Sequence, residues 1–131
     1  MTARLTRSLA AVLLLAGGIV HFNLWNNGYR HIPNIGPLFM ANFVGSVALA
    51  AAVMTSRRAS VAVVGITFAA GSLVALVLSR TVGVFGFTEA VWTTQATRTL
   101  ASEVAAIVAL GAALVMQRRA APELAPATAA A

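Results

Sequence analysis

The chain has 131 residues, of which 60% are hydrophobic and only 9% charged, and its mean hydropathy is +0.87. Soluble domains carry about 25% charged residues, and a fold this short could not hide so much apolar surface from water, so a water-soluble globular protein is excluded. The net charge of +6 comes from nine basic residues, all arginine, which stand between apolar runs and form no nucleic-acid-binding patch.

A helix needs about 20 mainly apolar residues to cross a hydrocarbon core of about 30 Å. Four segments meet that length, at roughly residues 8–25, 35–54, 59–79 and 99–116. They are apolar nearly all round, as lipid-facing helices are. Spanning strands would be about 10 residues long, would alternate, and would have to close a barrel. The expected fold is therefore all-α, an integral membrane four-helix bundle in a single domain over residues 1–119.

Arg4 and Arg7 precede the first span, and Ala16 and Gly18 supply small residues, a pattern shared with signal peptides. The apolar run continues to Phe22 and Trp25, which suits a retained anchor. The following loop, Asn26 to Pro37, is dense in turn formers. Gly28 and Gly36 permit positive φ, and Pro37 suits the first turn of the second helix. Ser56, Arg57 and Arg58 form a tight hairpin between the second and third spans. The third connection, residues 81–97, is long for such a bundle and reads as a segment lying in the interface or as a short cap. From Ala120 to Ala131 the Ala/Pro/Thr tail has no apolar period and is expected to be disordered.

Threading the spans in order puts Arg4, Arg7, Arg57, Arg58, Arg118 and Arg119 on one side, against Arg30, Arg80 and Arg98 on the other. By the positive-inside rule both termini are cytoplasmic, in a bacterial inner (plasma) membrane. Small residues supply packing stripes: Ala41, Gly45 and Ala48 in the second span, Gly65 and Ala69 in the third, and Ala101, Ala105, Ala109 and Ala113 in the fourth.

Eight of nine aromatics (Phe22, Trp25, Tyr29, Phe39, Phe43, Phe85, Phe87 and Trp92) fall in the outer half or its loops, and only Phe68 lies nearer the middle. An interfacial belt would occupy both faces, so the one-sidedness suggests a site or partner surface. His21, Asn42 and Glu103 lie at a similar depth, about 6 to 11 Å below the outer boundary at about 1.5 Å per residue. Ionisable groups there mark a candidate polar cluster. Glu103 is the first candidate, partnered by His21 or by Arg98 or Arg80 from the rim, either as a proton- or cation-binding pair or as a structural lock. Asn42 reads as interhelical glue. Arg30, His31, Arg80, Arg98, Trp25, Tyr29 and Trp92 form the candidate outer rim.

No catalytic residue, cofactor or metal is assigned. The absence of cysteine excludes disulfides, iron–sulfur clusters and thiol catalysis, and no phosphate loop, nucleophile elbow or dinucleotide fingerprint occurs. The expected partners are the lipid bilayer and a homo-oligomer or membrane complex, with no nucleic acid.

Four spans in so short a chain resemble the small multidrug resistance transporters. Those keep a membrane Glu in the first helix, whereas here Glu103 is in the fourth, so that likeness is architectural. The runs H-F-N-L-W (His21 to Trp25) and I-P-N-I-G-P-L-F (Ile32 to Phe39) resemble small four-span bacterial membrane proteins of actinobacterial type, loosely DoxX-like, over about the first third of the chain. The resemblance implies a small helical bundle and brings no activity with it. Three roles are consistent with these features. The first is a non-enzymatic accessory or scaffold subunit, and the second a proton- or cation-coupled transporter or ligand-binding bundle using the Glu/His pair. The third is a membrane redox protein holding haem or quinone.

Overall fold

The computed structural model describes residues 2–120; Met1 and residues 121–131, and with them nearly all of the tail expected to be disordered, lie outside the described residues. The elements run α1 (Ala3–Asn26), a single 3-10 turn (Tyr29–His31), α2 (Ile35–Thr55), α3 (Ala59–Arg80) and α4 (Thr94–Ala120). All four helices are long and apolar enough to cross a membrane. The protein is an all-α, multi-pass membrane four-helix bundle.

Two helices start earlier than their apolar runs, because hydroxyls cap them. Thr2 accepts the Leu5 amide at 3.4 Å, extending α1 back to Ala3. Thr93 accepts the Ala96 amide at 3.1 Å, which starts α4 at Thr94 and not at residue 99. The third connection shortens accordingly to residues 81–93. Within it lies a small hairpin. Val84 and Phe87 exchange both backbone hydrogen bonds at 2.8 Å, around Phe85 and Gly86 at positive φ.

Around the bundle the order is α2, α1, α4, α3. Helix α1 packs extensively on α2 and α4, and α4 on α3, whereas α2 and α3 touch sparsely although only residues 56–58 join them. With little hydrophobic drive between helices in lipid, backbones must approach closely to gain dispersion contacts. Gly18 allows this for α1 and α2, since a Cβ there would lie 2.6 Å from Ser46 Cβ. Gly65 does the same for α3 and α4, where a Cβ would lie 2.9 Å from Leu110. The half of the bundle nearest the termini holds the core: Ala10, Ala11 and Leu14 from α1, Ala50 and Val53 from α2, and Ala106, Ala109 and Leu110 from α4.

The small-residue stripes fall differently from the sequence expectation. On α4 the buried face is Glu103, Ala106, Ala109, Leu110 and Ala113, while Ala101 is exposed and Ala105 only half-buried. Steps of four drift about 40° each round a helix of 3.6 residues per turn, so an unbroken i+4 run spirals off the contact face. On α2 only Gly45 of the expected three meets another helix closely, and Ala41 and Ala48 are exposed. Gly65 and Ala69 are both buried, as expected.

The end of α2 is held by a charge. Arg7 donates from Nε to the Val53 carbonyl at 2.9 Å and from Nη2 to the carbonyls of Val53, Met54 and Ser56 at 2.5, 2.9 and 3.0 Å. These carbonyls have no helical partners, and a cation is favoured at the negative end of a helix dipole. Replacing Arg7 with Leu is expected to lower stability by about 1–3 kcal/mol. Arg7→Lys should recover part of that loss, and thermal unfolding in detergent micelles reads both.

Candidate functional site

Where α2 and α3 part, a cavity of about 440 Å³ opens toward the end of the bundle that carries the 29–31 turn and the 81–93 hairpin, here called the loop end. Phe68 stands at the base of the cleft. Its ring reaches α2 at Gly45, where a Cβ would lie 2.7 Å from Phe68 Cε2, so the two helices meet across this ring and diverge beyond it. The walls are mainly apolar, from Leu38 and Phe39 on α2 and from Gly71, Ala75 and Leu76 on α3.

Across the cleft runs a chain of polar side chains. His21 Nδ1 lies 2.9 Å from the Gly17 carbonyl, which can only accept, so this nitrogen carries the proton. Nε2 lies 3.4 Å from the Ser72 hydroxyl. Ser72 in turn accepts from Asn42 Nδ2 at 3.3 Å, and Asn42 Oδ1 accepts from Ser46 at 3.3 Å. The chain ties α2, α3 and α1 together. Glu103 is buried beside it, 3% exposed, against Gly17 and with Ser72 as a polar neighbour.

His21, Asn42 and Glu103 each have Ser72 as a neighbour. The element that joins them is Ser72, which sequence reasoning passed over because a serine in an apolar run costs little hydropathy. Glu103 is not partnered by the rim arginines. Arg80 instead pairs with Glu89 at 3.4 Å, and Arg98 is exposed and makes no ion pair among the described residues.

At the loop end Tyr29 donates to Glu89 Oε1 at 2.9 Å, and Arg80 Nη1 donates to the carbonyls of Glu89, at 3.0 Å, and of Val91. The Glu89 amide donates to the Ser79 carbonyl at 2.9 Å. The hairpin is therefore clasped to the end of α3. Trp92 lies 5.5 Å under the Arg80 guanidinium and donates to Thr97 at 2.8 Å. Arg30 sits over Trp25 at 6.0 Å and donates to His31 Nε2 at 3.0 Å, on the exposed side and off the cavity wall. The one-sided aromatics converge: Phe39 packs edge-on to His21 at 5.4 Å and against Tyr29 at 5.2 Å, Tyr29 meets Phe87, and Phe22 meets Phe43. Among the described residues no group of three or more His, Cys, Asp or Glu could hold a metal ion.

Tyr29 is the single tyrosine, and burial, then its hydrogen bond to Glu89, holds its phenol above the ordinary 10.0, with the Arg80 charge opposing. A raised pKa means a contribution to stability that is complete below the ordinary value and lost as pH rises through the raised one. Glu89→Gln is expected to move the phenolate absorbance transition to lower pH, and an unchanged transition would break the link between the two residues. In a second test, Ser72→Ala removes the joint between α1, α2 and α3 and should cost about 1 kcal/mol in detergent unfolding.

No protein-family model, curated protein or solved structure matches the chain, and the site is read from its own geometry.

Proposed function

We propose that this protein is a ligand-binding membrane bundle, which holds a lipid-soluble small molecule in the cleft between α2 and α3. One observation carries the reading. A cavity of about 440 Å³, apolar-walled and edged by a few fixed polar groups, lies between two sequence-adjacent helices that could have closed on each other. Small-molecule sites are about 300–1,000 Å³ and have this makeup. A purely scaffolding or accessory role accounts for an apolar exterior but gives no reason to hold α2 and α3 apart.

Six arginines at the terminal end against three at the loop end favour a bacterial plasma membrane with both termini in the cytoplasm. The cleft then opens in the outer half of the bilayer, within reach of molecules dissolved there. The polar layer of His21, Ser72 and Asn42 forms part of the inner wall, and the Tyr29–Glu89–Arg80 clasp the outer one.

Gly71 supplies the test. It lines the cavity, and a Cβ there would meet nothing within 4 Å. A phenylalanine at 71 therefore fills open space and, in a helix interior, replaces the poorly favoured glycine. Native mass spectrometry of the protein released from mild detergent should show a co-purified small molecule on the wild type. Occupancy on Gly71→Phe should be reduced about tenfold or more at equal thermal stability. Equal adducts on both proteins would overturn the reading.

A further inference from the structure

We infer that Glu103, Ser72 and His21 form a proton-binding site at the inner end of the cleft, in which one proton is shared between the Glu103 carboxyl and His21 Nε2 through the Ser72 hydroxyl. The site goes beyond the ligand-binding reading and does not depend on it, since the cleft serves here only as a route for protons.

Glu103 is 3% exposed and belongs to a helix long and apolar enough to cross the membrane, where an ionised carboxylate without a counter-charge is very costly. Gly17 lets it come against α1, since a Cβ there would lie 3.2 Å from Glu103 Oε1. The charges on the surrounding elements are engaged elsewhere. On α1 Arg7 holds the carbonyls at the end of α2, and on α3 Arg80 pairs with Glu89, which also holds Tyr29. Arg98 on α4 is exposed, Arg30 donates to His31 on the exposed side, and α2 brings Asn42 and Ser46 but no titratable group. His21 is the titratable neighbour that remains, and it makes no direct ion pair with Glu103. Ser72 links the two: its hydroxyl lies 3.4 Å from His21 Nε2 and is a hydrogen-bonding neighbour of the Glu103 carboxyl.

The number of protons follows from the Ser72 hydroxyl, which offers one proton and two lone pairs. Asn42 Nδ2, 3.3 Å away, donates to one lone pair. The other lone pair and the proton are left for the two titratable groups. With Glu103 protonated, its O–H donates to Ser72 and the Ser72 proton goes to Nε2. With Nε2 protonated, the ring donates to Ser72 and Ser72 to the carboxylate. Both arrangements give each group a partner, and two proton transfers interconvert them. The Glu103 O–H bond breaks as a new Ser72 O–H bond forms, and the former Ser72 proton passes to Nε2, leaving carboxylate and imidazolium with no change in total charge. His21 Nδ1 keeps its proton on the Gly17 carbonyl throughout. Other occupancies fit worse. With no shared proton, two acceptors compete for one hydroxyl and a buried carboxylate stands unbalanced; with two, three donors face two lone pairs and an imidazolium stands unbalanced.

Access is from one end. His21 and Ser72 line the cavity together with Thr93, Gln95 and Thr99, and Glu103 follows Thr99 on α4 by about one helical turn. Polar side chains therefore run from the loop end to the site. Beyond Glu103 the buried residues of α4 are Ala106, Ala109, Leu110 and Ala113, which offer no relay. The proton enters and leaves by the loop end.

The test uses the full chain in mild detergent, with His31→Gln in every sample to leave His21 as the single histidine. Infrared titration reads the protonated-carboxyl band of Glu103, identified by its loss in Glu103→Gln, and NMR of the ring nitrogens reads His21 over the same pH range. Both signals should change at one common midpoint, because a shared proton titrates as a property of the pair. Glu103→Gln should move the His21 midpoint, and His21→Gln the Glu103 midpoint, by about one pH unit or more, which is tenfold in proton affinity. Ser72→Ala keeps both titratable groups and should separate the midpoints, whereas Ser72→Thr, which keeps the hydroxyl, should leave them together. Midpoints that differ in the wild type, that do not respond to Glu103→Gln, or that stay together in Ser72→Ala overturn the inference. So does a Glu103 carboxyl that never titrates between about pH 4 and pH 10, which would be a fixed structural hydrogen bond. The comparison of the two midpoints without further substitution stands as a test even where a variant does not fold.

Discussion

Helix α2 leaves a connection of only three residues and yet packs on α1 and not on α3. Two local interactions enforce this. Gly18 lets the α1 backbone come against Ser46, closer than any residue with a Cβ would allow. At its very end α2 is seized by Arg7, whose guanidinium satisfies carbonyls that lipid could not. With α2 committed to α1, and α3 committed to α4 through Gly65 and Leu110, nothing of comparable strength closes the remaining side. Phe68 on Gly45 then acts as a spacer, and the cavity is what remains beyond it.

The bundle accordingly divides along its length. Alanine, leucine and valine zip the terminal half, where small side chains bring helices near enough for dispersion to hold them. Toward the loop end the side chains become larger and polar, and the helices separate around them. Each polar group there needs a partner within the protein, because hydrocarbon offers none. Most find one. At its α1 end the chain meets the Gly17 carbonyl, and because a backbone carbonyl cannot donate, His21 Nδ1 carries a proton.

Hydropathy and helix length made the four spans legible, and the shared depth of His21, Asn42 and Glu103 followed from a rise of about 1.5 Å per residue. Lateral packing was not legible. Nothing in the sequence says that α2 prefers α1, and of the i+4 alanine stripe on α4 only Ala109 and Ala113 reach the buried face. Rotation about a helix axis is set by partners, and an all-round apolar helix does not announce them. The pairing of Arg80 with Glu89 was missed for a related reason. It depends on a hairpin whose turn requires Phe85 and Gly86 at positive φ, and a non-glycine residue in that region is not foreseen from composition. Ser72 carried no signal beyond being polar, and acquired meaning only once the cavity wall was known.

A laterally open cleft in a bilayer is never in competition with water alone. Acyl chains of the surrounding lipid reach it at very high local concentration, so apolar walls alone cannot select one molecule over its neighbours. Discrimination of that kind comes from polar groups that are left unpaired by the wrong occupant, as in any site where a hydrogen bond separates two similar ligands. A bound molecule would also bridge α2 and α3, supplying the contact that the fold leaves out and tying its stability to occupancy.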